Sequence, residues 1–299
     1  MSIFDFFKKK ANAPKLNKEL YSAIKALEKN EILMLAQEGT SVSDPGASKI
    51  GGKPYLPSDF VWPTYTDNDE NVTRPLSFFC QINLSDIKPY DKEALLPSSG
   101  MLCFFYECES MKWGFDAEDR GAARVLYIDT AHATGLAPRD IPDDIPEEYV
   151  IPEIALQFKA RSSYPKFEEF ELYSDLDPDW EEYDSVLAEL GVDIDSDSEE
   201  HKLLGYADII QNEMLTEAER VSRGLYCGDA ESYRNTPEDV EVEITRHATD
   251  WVLLCQLSTI ANEDFEFMFG DCGMLYFYIR KDDLAAMNFD DVHFSVQCG

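Results

Sequence analysis

Leu76-Ser77-Phe78-Phe79-Cys80-Gln81-Ile82-Asn83-Leu84 is the stretch whose reading decides the fold. Leu76, Phe78, Cys80, Ile82 and Leu84 alternate with Ser77, Phe79, Gln81 and Asn83, and a period of two marks a strand with one clean apolar face. Beyond Gly100, the run Met101-Leu102-Cys103-Phe104-Phe105-Tyr106 is apolar on both faces. Such a strand is expected centrally in a sheet, with cover on each side. Ala123–Ile128 is a third, shorter strand candidate.

Working outward, the same signals return later in the chain. Lys49-Ile50-Gly51-Gly52 is echoed by Lys202-Leu203-Leu204-Gly205, and Phe79-Cys80-Gln81-Ile82 by Leu254-Cys255-Gln256-Leu257. Gly100-Met101-Leu102-Cys103-Phe104 is echoed by Gly273-Met274-Leu275-Tyr276-Phe277. The Cys-Gln pairs are offset by 175 positions and the Gly-Met-Leu triplets by 173, so the order is kept and the register nearly so. Three matches in one order predict an internal duplication of a strand-rich unit. Two such units are expected to pair about a pseudo-two-fold axis and share a core, as protomers do in a symmetric dimer. Cys80 and Cys255 are expected on the apolar face, with Gln81 and Gln256 on the opposite one. A half-buried glutamine must satisfy its amide, within the protein or on a ligand in a cleft.

The flanking segments differ in kind. Ile3 to Lys10 joins apolar residues to a basic cluster, at most a weak membrane anchor, and membrane contact is not expected. Leu16, Leu20, Ile24 and Leu27 fall at helical spacing, so an amphipathic helix is expected between Pro14 and about Asn30. Prolines 138, 142, 146 and 152 among acids read as an extended connection. Between Glu168 and Glu200 there are 15 acidic residues and no lysine or arginine. Inside it Trp180, Tyr183, Leu187 and Leu190 predict a docked helix, with Asp177-Pro178 as its start and Gly191 as its stop. The expected divisions are 1–47 as tail and helix, 48–135 and 201–299 as the repeat units, and 136–200 as the acidic connection, with 48–299 one compact body.

The chain has 299 residues and a formal charge of −33. That field argues against nucleic acid and anionic lipid and favours basic proteins or cations. Seven cysteines with no C-x-x-C pair, no secretory signal and no long apolar stretch point to reduced thiols in a cytoplasmic protein. Gly51-Gly52-Lys53 lacks the spacing of a phosphate loop and reads as a tight turn. Asp193-Ile194-Asp195-Ser196-Asp197 begins like a calcium loop, but Ser198 and Leu204 stand where the loop requires glycine and glutamate. His132, His201, His247 and His293 share no metal-ligand spacing with cysteine. No cofactor and no metal site is expected.

Several of these motifs also carry a family resemblance. Ser48 to Pro57 with Trp62-Pro63, Pro75 to Leu84, Leu96 to Tyr106, His201 to Tyr206 and Phe269 to Phe277 running on to Gln297-Cys298 resemble the YwqG-like family, a bacterial domain of unknown function. That family commonly has tryptophan before Gly-Asp, where this chain has Phe269. The resemblance implies an α+β fold rather than a pure sandwich, and it implies no chemistry. The full expectation is thus α+β: a duplicated strand-rich unit with mainly antiparallel sheet, an N-terminal amphipathic helix and an acidic helical insertion.

The polar residues set among these apolar motifs are the candidate ligand-binding set: Lys49, Gln81, His201, Lys202, Gln256 and Asp271. No catalytic motif accompanies them. The function expected first is a non-catalytic module binding a protein or ligand, including an antitoxin- or immunity-like capture of a basic partner by the acidic surface. The alternative is an enzyme acting on a small molecule in a cleft between the repeats.

Overall fold

The computed structural model describes residues 16–37, 39–194 and 200–299. Ile3 to Lys10 and the Asp195–Asp197 part of the calcium-like run lie outside the described residues. Ten strands form one antiparallel sheet: β1 (Lys29–Gln37), β2 (Lys49–Ile50), β3 (Ser77–Asn83), β4 (Met101–Tyr106), β5 (Ala123–Ile128), β6 (Ile154–Ser163), β7 (Lys202–Leu204), β8 (Trp251–Leu257), β9 (Met274–Arg280) and β10 (His293–Gln297). Their order is β10-β9-β8-β7-β1-β6-β2-β3-β4-β5. From the central pair β1–β6 the order runs outward through a short strand to three longer ones on each side. The architecture is a mixed helix-and-sheet fold with one large antiparallel sheet.

The sheet curls until its ends nearly meet. Phe104 on β4 and Phe277 on β9 have six strands between them in the order, yet their rings lie 5.2 Å apart. Behind them Tyr106 meets Phe294 at 5.8 Å. The loop after β4 closes the gap, where Val296 donates to the Trp113 carbonyl at 3.0 Å. Inside the curl lies the main core, including Ile32, Met34, Cys80, Leu102, Cys255, Leu275 and Val296. Cys80 and Cys255 interact there, and burial lifts the Cys80 thiol well above its ordinary range. All seven cysteines are free thiols.

β4 is buried along its whole length and paired on both edges, as its two apolar faces require. The alternation in β3 holds except at one place. Between Phe78 and Cys80 the register slips by a bulge, and β8 has the same slip between Leu253 and Cys255. A bulge adds a residue to one strand and turns the side chains beyond it. Phe79 is therefore not an outer-face residue but part of the main core, against Phe267 and Phe269.

The largest correction concerns the two central strands. β1 falls within 1–47, read as tail and helix, and β6 falls within 136–200, read as connection. Ile32 to Leu35 is an unbroken apolar run of four, too short to separate strand from helix by period. In β6 Ile154, Leu156, Phe158 and Ala160 alternate with Ala155, Gln157, Lys159 and Arg161, a strand signal that the Pro-rich, acidic surroundings obscured. The body therefore includes residues before Ser48. The N-terminal helix is also shorter than expected, Lys18–Ala26, capped by Asn17 on the amides of Glu19 and Leu20.

The second helix spans Trp180–Glu189. Its cap is Asp179, which accepts from the Glu182 amide at 2.8 Å, two residues beyond the expected Asp177-Pro178 start. Gly191 ends it at φ 85°, a conformation that glycine adopts without a Cβ clash. Tyr183, Val186 and Leu187 pack on Leu20 and Ile24, so the two helices share a satellite core. Two further helices, Leu215–Ser222 and Glu238–Ala248, both amphipathic and neither among the expected elements, cover the outer face of β8–β10. No helix among the described residues is long and apolar enough to cross a membrane.

Candidate functional site

Lys49 pairs with Gln81 across β2–β3, and Lys202 pairs with Gln256 across β7–β8. Each pair is buried, and each is fully engaged by protein groups. Gln81 accepts from the Tyr55 amide at 2.8 Å and donates to the Pro45 and Ala47 carbonyls at 2.8 and 2.7 Å. Gln256 accepts from the Asp208 amide at 2.8 Å and donates to the Glu200 carbonyl and to the Asp208 carboxylate at 3.0 and 2.8 Å. The ammonium of Lys49 meets Glu153 at 2.6 Å, whereas that of Lys202 meets Asp208 at 2.9 Å and Glu31 at 3.2 Å. Glu31 also takes Arg161, whose other nitrogen reaches Glu200. A charge this deep is tolerated only when paired and hydrogen-bonded.

His201 accepts from the Ser258 amide through Nδ1 at 3.0 Å. Burial pulls its pKa down to about 4, so the ring is a neutral acceptor at pH 7. Asp271 is exposed in the turn before β9, and its carbonyl accepts from the Gly299 amide. The structure thus gathers four of the six candidates into two separate polar nodes. His201 sits beside one of them and Asp271 apart from both. None of the six lines the cavities described next.

A cavity of about 470 Å³ opens where the loop Glu93–Pro97 faces Leu204, Gly205, Val252 and Leu253. Lys29, Lys281, Leu284, Ala285 and Met287 complete its wall. It therefore lies between the two stretches that carry the echoed motifs, with its floor at the start of β1. The walls are mostly apolar and the positive groups are two lysines. One oxygen of the single carboxylate, Glu93, is engaged by the Asn30 amide at 2.7 Å.

Lys29 is half-buried and lies 3.7 Å above the Tyr206 ring and 5.5 Å from that of Tyr173. Tyr206 is held there by its hydroxyl, which donates to the Leu27 carbonyl at 2.8 Å. No salt bridge or hydrogen bond to the Lys29 ammonium is found among the described residues. Loss of water around the ammonium pulls its pKa down to about 8, against the opposing pull of Glu169 and with added repulsion from Lys281. Glu169 is itself buried, its Oε1 has no partner among the described residues, and burial raises its pKa.

The backbone around this cavity is unusual. Ala94, Leu204 and Met287, all in its wall, hold φ of 52°, 60° and 55°. For residues with a side chain this left-handed region costs roughly 1–2 kcal/mol each, and such strain gathers where a site is shaped. Sequence reasoning missed all of these residues. Only the Leu204-Gly205 echo of Gly51-Gly52 could have pointed to a left-handed turn at this place.

A second cavity, about 430 Å³, lies between the 114–120 loop and Trp251, Arg280 and His293. Its arginines are already committed, Arg280 to Glu219 and Ser222 and Arg120 to Asp291. Among the described residues no three His, Cys, Asp or Glu side chains stand together in a way that holds a metal.

Residues 48–298 match the family model of a domain of unknown function, DUF1963, and the chain belongs to that family. No curated protein matches the chain.

Proposed function

We propose that this protein is a small-molecule-binding module whose ligand is an apolar body carrying an anionic group, held in the Lys29 cavity. The observation that carries the reading is the half-buried Lys29 ammonium in a mostly apolar cavity, without a salt bridge or hydrogen bond among the described residues, where the buried Lys49 and Lys202 are paired. A carboxylate or phosphate placed there supplies the missing counter-charge, while Leu95, Leu253, Leu284 and Met287 receive the apolar part. Binding is assigned to this cavity rather than to the acidic 168–200 segment. The apolar side of that segment's helix, Tyr183, Val186 and Leu187, is used up against the N-terminal helix.

The reading is compatible with descent from a duplicated unit and with YwqG-like kinship. Matching pairs support duplication: Lys49–Glu153 with Lys202–Glu31, the bulges at Phe79 and Leu254, and glutamines that each accept from the amide six residues after the lysine. On that correspondence the place of Lys29, two residues before Glu31, is taken on the other side by buried Ile151, two residues before Glu153.

Calorimetric titration with straight-chain carboxylates from acetate to decanoate tests the reading. Affinity is expected to rise with chain length and to fall tenfold or more in Lys29→Met, about the worth of one charge-assisted hydrogen bond. Binding that is absent, or indifferent to both Lys29→Met and Lys281→Met, rejects it.

A further inference from the structure

We propose that Lys29 is a covalent carbonyl-capture site, forming an imine with an aldehyde whose apolar body fills the cavity. This rests on the cavity being the ligand site, and it adds a chemical class to that reading. Among the lysines, Lys29 combines three features: it lines a cavity, it is largely withdrawn from water, and it lacks any carboxylate partner within salt-bridge distance among the described residues. The buried Lys49 and Lys202 are locked to glutamate or aspartate. Lys281, in the same wall, is exposed.

An amine attacks a carbonyl only when neutral. With its pKa near 8, about a tenth of Lys29 is neutral at pH 7, whereas an ordinary lysine has less than about a thousandth in that form. A neutral amine in an apolar pocket is the usual way a lysine becomes a nucleophile. The Tyr206 ring at 3.7 Å also favours a cation, so it steadies the protonated imine as it does the ammonium.

The step balances without a redox partner. The lone pair of the neutral Nζ bonds to the aldehyde carbon and gives a carbinolamine. Loss of the oxygen as water, taking up the two amine protons, leaves C=N. The proton shed by the ammonium beforehand goes to solvent.

The test is reductive trapping of the full chain with hexanal and cyanoborohydride at pH 7, followed by peptide mapping. One hexyl group on Lys29, gained at least ten times faster than on Lys281 and slowed by hexanoate, is expected. Acetaldehyde, which lacks the apolar body, is expected to label Lys29 more slowly. Lys29→Arg keeps the charge and removes the nucleophile; its fold is checked by circular dichroism and its hexanoate affinity by calorimetry. In that variant the fast label should vanish while the fold is kept. Lys281 or surface lysines reacting as fast as Lys29, or undiminished fast labelling in Lys29→Arg, overturns the proposal. If hexanoate binds but Lys29 is not trapped, the capture chemistry fails and the binding site stands. If Lys29 is trapped but no carboxylate binds, the anion preference fails and the capture site stands.

Discussion

Lys49 on β2 and Lys202 on β7 each lie next to the central pair of strands, and they reach Glu153, one residue before β6, and Glu31, on β1. Their surroundings differ. Glu153, the partner of Lys49, has 39% of its side chain exposed, whereas Glu31, the partner of Lys202, has 3%. Glu31 also holds Arg161, and Lys202 also holds Asp208. Two residues before these glutamates the contrast becomes functional. Ile151 is a buried member of the main core, while Lys29 faces the cavity. One side of the sheet is thus sealed with apolar packing and the other opened around a charge. The same strand geometry can serve as structure or as site, depending on one residue and on what covers it.

The sharpest way to break this comparison is to delete the two glutamates. Glu31→Ala leaves buried Lys202 with Asp208 alone and takes one of two partners from the part-exposed Arg161, so a loss of about 3 kcal/mol is expected in urea unfolding. Glu153→Ala opens Lys49 to water, and about 1 kcal/mol is expected. Equal losses would show that burial does not distinguish the two sides.

Next in size are the glutamines. Gln81→Ala leaves three polar groups without their partner and Gln256→Ala two, the Asp208 carboxylate keeping Lys202, and about 2–3 kcal/mol is expected from each. The two losses should agree within about 1 kcal/mol if the halves are built alike. A Gln256→Ala variant that unfolds normally beside a crippled Gln81→Ala would undo the correspondence.

The smallest effect, and the most specific, comes from giving one side the other's residue. Lys29→Ile is expected to stabilise the protein by about 1–2 kcal/mol at pH 7, because a charge no longer has to be desolvated. Lys29 has a folded pKa of about 8, below its unfolded value. The unfolded chain therefore binds more protons between pH 8 and about 10.4, and wild-type stability rises across that window. The advantage of Lys29→Ile should accordingly be full below pH 8 and shrink above it. A difference in unfolding midpoint that is flat from pH 7 to 10.5 would count against a desolvated lysine.

Period and composition alone were enough to read β3, β4 and β5, the inward cysteines and the acidic helix that Gly191 stops. Each of these signals is local: alternation against a core, or a backbone angle that favours glycine. Gly51-Gly52 also read as a tight turn, and both glycines hold left-handed backbone there; that Leu204-Gly205 does the same came from the structure. The central strands were harder. Ile32 to Leu35 is too short to show a period, and β6 alternates from Ile154 to Arg161 but lies in a Pro-rich, acidic stretch that read as a connection, so pairing on both edges is what shows the two to be the centre of the sheet. The six polar candidates were seen as unusual, and only packing revealed that four are held in two self-satisfied nodes. The cavity was not in the sequence at all. It is made by segments around residues 29, 95, 204, 252 and 284, and no local pattern reports that these meet. A lysine read in sequence is a solvated charge; Tyr206 beneath it, apolar walls around it and, among the described residues, no carboxylate within salt-bridge distance are what make Lys29 something else, and those are properties of tertiary packing.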